Sequence, residues 1–179
     1  LVKNENGRMQ PMGAVAHRLV KKLAGREAFP GYTPSAVVLA VMLEPQKTQQ
    51  VPFLKINNER LRGELQMEGP RIAFEQLFNI GGEEDYKLSH FVEIAYMKLP
   101  ENRDPFDKAV IAADEKVSIM ARMYSGRFFS LFPDSTKRNW RSPDLINRPG
   151  GENEALDQLF YNYLNELQSK DNALNANSE

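Results

Sequence analysis

Cysteine is absent from all 179 residues. That excludes disulfides, thiolate metal sites, iron–sulfur clusters, thiol nucleophiles and a haem-attaching Cys-x-x-Cys-His of the chain's own. It leaves the redox compartment open, because a cysteine-free domain tolerates either environment. Histidine is scarce too, with only His17 and His90. Apolar runs of the ~18–20 residues needed to cross a bilayer are missing, and no signal-peptide pattern opens the chain. Nor is there an excess of one charge sign. The 23 Lys and Arg stand against 24 Asp and Glu, which argues against nucleic acid as a partner. The charge is uneven along the chain: residues 1–63 hold ten basic and four acidic side chains, leaving the remainder acidic by seven. The chain opens at Leu1 without an initiator methionine and reads as a soluble piece cut from a longer protein.

What is present is helical punctuation. Residues 1–11 form an extended arm marked by Gly7 and Pro11. Over 12–24, Val15, Ala16, Leu19, Val20 and Leu23 recur at helical spacing, with Gly25 placed as a C-cap and Arg18, Lys21, Lys22 and Arg26 on or just beyond the other face. Thr33-Pro34 is a capping hydroxyl followed by a first-turn proline. The stretch behind it, to residue 43, is apolar on every side and predicts a buried central helix ended by Pro45. Residues 51–56 read as a short extended segment, Asn58 caps a helix to about residue 65, and 72–78 reads as another short helix.

The second half follows the same logic. Ser89 opens a helix with Phe91, Val92, Ala95, Tyr96 and Leu99 on one face. Asp104-Pro105 starts the longest helix, 105–125, with Phe106, Ala109, Val110, Ala113, Val117, Met120, Ala121 and Tyr124 inward and Gly126 beyond its end. Residues 128–133 are aromatic and extended, and 134–151 form a polar loop. Residues 152–169 carry a last amphipathic stripe, and 171–179 form a frayed tail. The fold class is therefore mainly α: an irregular bundle of six or seven helices with long loops, with room for one small β-hairpin from 51–56 and 127–132. Residues 1–170 make a single domain.

Candidate chemistry is sparse. His17 and His90 lack the third ligand at helical spacing that a zinc site needs, and each reads more simply as a packed or surface side chain. Asp114 and Glu115 are neighbours about 100° apart on one helix, so they share no face as an acid–base pair; Glu93 could join them only across a cleft. No nucleophile elbow or phosphate-binding loop is spelled out, so no catalytic residue is assigned. Two segments could meet a partner. Gly7, Arg8 and Pro11 set a guanidinium fork on an extended arm, which either latches onto the domain or reaches a carboxylate. Trp140 with Arg141 either plugs the edge of the core or anchors a partner.

In their order these segments resemble a known family. The pattern is Gly7-Arg8-x-x-Pro11, Lys22-Leu23-Ala24-Gly25, the Val-Val-Leu helix, and Val51-Pro52-Phe53-Leu54-Lys55-Ile56. It continues with Tyr86-Lys87-Leu88, Phe106-Asp107-Lys108, Asp114-Glu115-Lys116-Val117, Phe132-Pro133 and Trp140-Arg141-Ser142-Pro143. It is similar to the extracytoplasmic region of membrane-bound cytochrome c biogenesis proteins of the system II type (ResB/CcsA-related fusions). The resemblance runs over most of residues 7–165. It implies a parent protein of a cytochrome c synthetase system in the cytoplasmic membrane, with this segment on the extracytoplasmic (periplasmic) face. The parent would handle haem; the segment itself carries no cofactor and is not expected to be an enzyme. Its implied partners are the membrane portion of the same polypeptide and apocytochrome c or other assembly factors. After Pro11 the chain reads Gly13-Ala14-Val15 where the family pattern leads to a threonine-containing phrase, so no hydroxyl role is carried over.

The expected role is an accessory module that scaffolds or binds partners. One rival is direct haem contact through His17 or His90, with 128–132 as an apolar wall. Another is a free-standing protein-interaction domain unrelated to haem.

Overall fold

Helix boundaries follow the capping chemistry. In the computed structural model, which describes residues 2–3, 9–27, 29–79, 86–129, 132–133 and 140–141, α1 spans Met12–Ala24 and stops at Gly25. That glycine takes φ 64°, and its N–H closes onto the Lys21 carbonyl at 3.0 Å. The next helix, α2 (Pro34–Leu43), starts where the Thr33 hydroxyl accepts from the Ala36 N–H at 3.2 Å. After a break at Glu44 the four-residue α3 (Pro45–Thr48) follows, so Pro45 starts a helix as well as ending one. Asn58 accepts from the Leu61 N–H at 2.9 Å and caps α4 (Glu59–Glu64).

The second half holds α5 (Ser89–Met97), a 3₁₀ turn at Pro100–Asn102 and the 20-residue α6 (Pro105–Tyr124). A reciprocal capping box fixes the start of α6. Asp104 accepts from the Asp107 N–H at 2.7 Å, and Asp107 accepts from the Asp104 N–H at 2.9 Å. The Asp107 side chain is buried, and the Lys98 ammonium reaches both its oxygens at 2.8 and 2.7 Å.

The fold is mainly α, with six α-helices among the described residues and three small antiparallel ladders. The first pairs β1 (Val2–Lys3) with β2 (Met9–Gln10). The second pairs β3 (Pro52–Lys55) with β4 (Arg71–Ala73), and the third β5 (Phe132–Pro133) with β6 (Trp140–Arg141). A register shift between Pro52 and Leu54 leaves Phe53 as the extra residue of a bulge. A regular strand would send one of two successive side chains outward, whereas here Phe53 and Leu54 are both buried. α6 is the mast of the core. It packs α2, α4 and α5, while α1 lies against α2 and β3. Val110, Ala113, Val117, Met120 and Met123 make its inward face, and Ala121 is exposed rather than inward.

Four expectations are corrected. Residues 72–78 are no helix: Arg71–Ala73 is a strand and Glu75–Leu77 a single 3₁₀ turn, because Ile72 pairs with Leu54. The hairpin partner of 51–56 is therefore β4, across α4, and not 127–132. α2 is less central than its apolar content predicts. Only Val38 and Val41 are fully buried, and Ala36 and Ala40 are exposed. The expected inward face of α5 buries only Ala95 completely, with Phe91 and Val92 half-buried and Tyr96 and Leu99 outside. Leu99 lies past the helix end at Met97, so helical spacing no longer governs it. Most of the polar loop at 134–151, the helix expected at 152–169 and the tail at 171–179 lie outside the described residues.

The Lys98–Asp107 contact carries a pH prediction. The Lys98 hydrogen bonds, helped by the Asp104 N–H, hold the Asp107 carboxyl below its ordinary value of 3.8 against the opposing effect of burial. A depressed folded-state value stabilises above the unfolded value and is lost as pH falls through the folded one. We expect Lys98→Met to lower the melting temperature at pH 7, and the gap from wild type to close as pH drops below 3.8. Thermal melts of both chains across pH 2–7 check this. A gap that stays constant with pH would sink the assignment.

Candidate functional site

The sequence-predicted histidines sit in different settings. His17 is half-buried on α1, with Nε2 3.9 Å from Glu27 Oε2. His90 is exposed in the first turn of α5, its ring 6.0 Å from that of Phe91. Neither belongs to a group of three metal-ligating side chains among the described residues. Gly7 and Arg8 lie outside the described residues, while Pro11 is exposed and its carbonyl accepts from the N–H groups of Ala14 and Val15 in the first turn of α1. Trp140 and Arg141 are in β6, paired with Pro133 and Phe132.

The basic face of α1 is largely spent within the molecule. Arg18 donates to Gln10, Lys21 pairs with Glu27 at 2.6 Å, and Lys22 with Glu115 at 3.1 Å. Lys21 in turn holds the Glu27 carboxyl below its ordinary range. Arg26 lies 5.0 Å over the Phe29 ring. The acidic residues of α6 also part company. Asp114 accepts from the Tyr86 hydroxyl at 3.1 Å, while Glu115 faces Lys22. Burial and the Asp114 charge push the Tyr86 hydroxyl well above the ordinary tyrosine range.

A cleft of about 490 Å³ opens beside the β3–β4 ladder, lined in part by Gln66, Met67, Arg71, Gln76 and Lys87. Two of its polar side chains are occupied by the fold. Arg71 Nη2 donates to the Ala24 carbonyl at 2.8 Å, closing the C-terminus of α1, and Gln76 accepts from the Ala73 N–H at 3.0 Å. Arg71 Nε is buried without a partner in the described structure. The arrangement works as a seam between α1 and the hairpin.

The surface that stands out is the outer side of α5. His90, Ile94 and Met97 are spaced i, i+4, i+7 and share one outward ridge. Met97 is 75% exposed and Leu99, just beyond, 61%. Large apolar side chains held in water by a firm scaffold mark contact surfaces. The scaffold is firm here: Ala95 is fully buried, and the Phe91 ring meets Phe106 edge-on at 5.6 Å. Arg103 Nε donates to the carbonyls of Ala95 and Lys98 at 3.0 and 3.2 Å, tying down the helix end. Its guanidinium also lies 5.6 Å from the Tyr96 ring. Helical periodicity in the sequence marks the inward stripe of this helix and leaves the outward one unmarked. The signal available was the same 3.6-residue period, read on the opposite side.

No helix among the described residues is long and apolar enough to cross a membrane. No family model matches the chain. Protein NrfI of Wolinella succinogenes is 28% identical to it over 134 residues. That stretch is 74% of this chain but only 15% of NrfI, so the chain spans less than a sixth of the length of the curated relative it matches.

Proposed function

We propose that the chain is an extracytoplasmic accessory domain of a membrane-bound cytochrome c assembly protein, and that it works by binding partners. The system II pattern from Gly7 to Pro143 supports this reading, and the similarity to NrfI points the same way, to cytochrome c maturation. The observation that carries the binding role is the exposed His90–Ile94–Met97 ridge with Leu99 beyond it. Isoleucine and methionine on a braced helix give an adaptable apolar contact. The ridge takes a protein surface of matching apolar character, in the membrane portion of the same polypeptide or in the apocytochrome.

Replacing Ile94 and Met97 together by Asp in the complete protein tests this. Buried anchors of this kind usually cost about tenfold or more in affinity when disrupted. The yield of haem-bearing c-type cytochrome should fall severalfold at unchanged protein level. The melting temperature of the 179-residue chain should stay put, because both side chains are largely outside the core. Normal cytochrome yield would remove the ridge from the function.

The haem-contact reading has one observation in its favour: His90 is exposed at the head of that apolar ridge. A haem titration separates the two. A saturable one-to-one Soret shift that His90→Ala abolishes would assign the surface to haem rather than to a protein.

A further inference from the structure

A second cleft, of about 380 Å³, lies between the N-terminal half of α6 and the connection from β3 to α4. Its charged lining is of one sign: Lys55, Lys108 and Lys116, with the amides of Asn57 and Asn58 alongside. Lys108, Ala112 and Lys116 are spaced i, i+4, i+8, so they form one ridge of α6 with ammonium stems at both ends and a methyl floor between. At ~1.5 Å rise per residue the two lysines leave the helix about 12 Å apart. Ala109 and Ile56 extend the apolar floor.

Among the described residues nothing neutralises this positive charge. None of the three lysines pairs with a carboxylate among the described residues. The nearby acids are taken: Glu115 by Lys22, Asp114 by the Tyr86 hydroxyl, and Asp107 by Lys98. Lys116 Nζ donates to the Lys55 carbonyl at 2.5 Å, which uses one of its three protons. Burial first, and then the charges of Lys55 and Lys22, hold the Lys116 ammonium below its ordinary value of 10.5. Both of those charges are positive, so an incoming anion relieves repulsion as well as gaining attraction.

We infer that this lysine-lined cleft binds an anionic group carried on a small apolar body, a carboxylate seated at Lys116 and Lys55 with its hydrocarbon on the alanine floor of α6. The alanine and isoleucine walls favour such a ligand over a free phosphate, which is hydrated all round and gains nothing from methyl groups. Lysine ammoniums act as point charges and do not by themselves choose between the two anions.

The test uses the 179-residue chain at low salt, titrated with hexanoate, acetate and inorganic phosphate while the amide signals of Ala112 and Lys116 are followed by NMR. Hexanoate should saturate and bind at least about tenfold tighter than acetate, since each fully buried methylene is worth about fourfold. Lys116→Gln should weaken hexanoate about tenfold. The amide can still donate toward the Lys55 carbonyl, and melting of the variant reports whether it folds. Ala112→Leu, which fills the floor and leaves all three lysines, should weaken hexanoate and spare acetate. Three results would each overturn the inference: no saturable shift, phosphate binding tighter than hexanoate, or equal weak binding of all three anions unchanged by either variant. The last is the behaviour of a solvated basic surface.

Discussion

Phe129→Ala should destabilise the chain by about 3–5 kcal/mol, the range for removing a buried phenylalanine. The ring is fully buried and belongs to the central core cluster, although it lies outside every helix and strand. It is brought there by the end of α6. Gly126 takes φ 70° and turns the chain back, with its N–H on the Met123 carbonyl at 3.1 Å and the Arg127 N–H on the Arg122 carbonyl at 2.9 Å. Phe128 then meets Phe129 edge-on at 4.8 Å, while the Arg122 guanidinium sits 5.4 Å from the Phe128 ring. The aromatic pair therefore closes the core behind α6. Urea unfolding measures the effect, with Met97→Ala as the control. Met97 is 75% exposed, and surface changes of this sort stay within about 0.5 kcal/mol. A Phe129 variant that lost less than ~1 kcal/mol would mean that this segment does not close the core.

The elements legible in the sequence are those written in local chemistry. α1 is bounded as the sequence predicts because its apolar stripe and its terminal glycine agree. α6 is marked by Asp104-Pro105 and Gly126, and α4 by Asn58. What was not legible depends on partners distant in sequence. Residues 72–78 have the apolar content of a short helix, yet Ile72 is claimed by Leu54 through a ladder that no local signal announces. The segment 51–56 pairs with 71–73 rather than 127–132 because the six-residue α4 folds the chain back and brings 71–73 close. The apolar content of α2 exceeds its burial because an all-apolar helix need not be covered on all sides; its main packing partners are α1, α3 and α6. The candidate site suffers most from this limit. The outward ridge of α5 could be had from periodicity once the inward side was known. The lysine cleft could not, because Lys55 and Lys116 are 61 residues apart and meet only in the fold.

Gly25→Ala should destabilise by about 2 kcal/mol, from two sources that can be separated. The first is the left-handed backbone at φ 64°, worth about 1–2 kcal/mol for a residue with a side chain. The second is space. A Cβ at this position would overlap the Lys55 side-chain stem, which packs across the end of α1. In a Lys55→Ala background the stem is gone and only the backbone cost remains, so the two changes should couple by about 0.5–1 kcal/mol. Displacing the α1 terminus also threatens the Arg71 contact with the Ala24 carbonyl, which Arg71→Met would report independently. Gly63 supplies the opposite sign. It lies inside α4, a Cβ there meets no atom within 4 Å, and its φ is ordinary for a helix. Gly63→Ala should therefore stabilise by about 0.5–1 kcal/mol through the lower entropy of the unfolded chain. Chemical denaturation of the three glycine and lysine variants decides the matter. If Gly25→Ala were as harmless as Gly63→Ala, α1 would not end in the left-handed turn that brings its terminus onto β3.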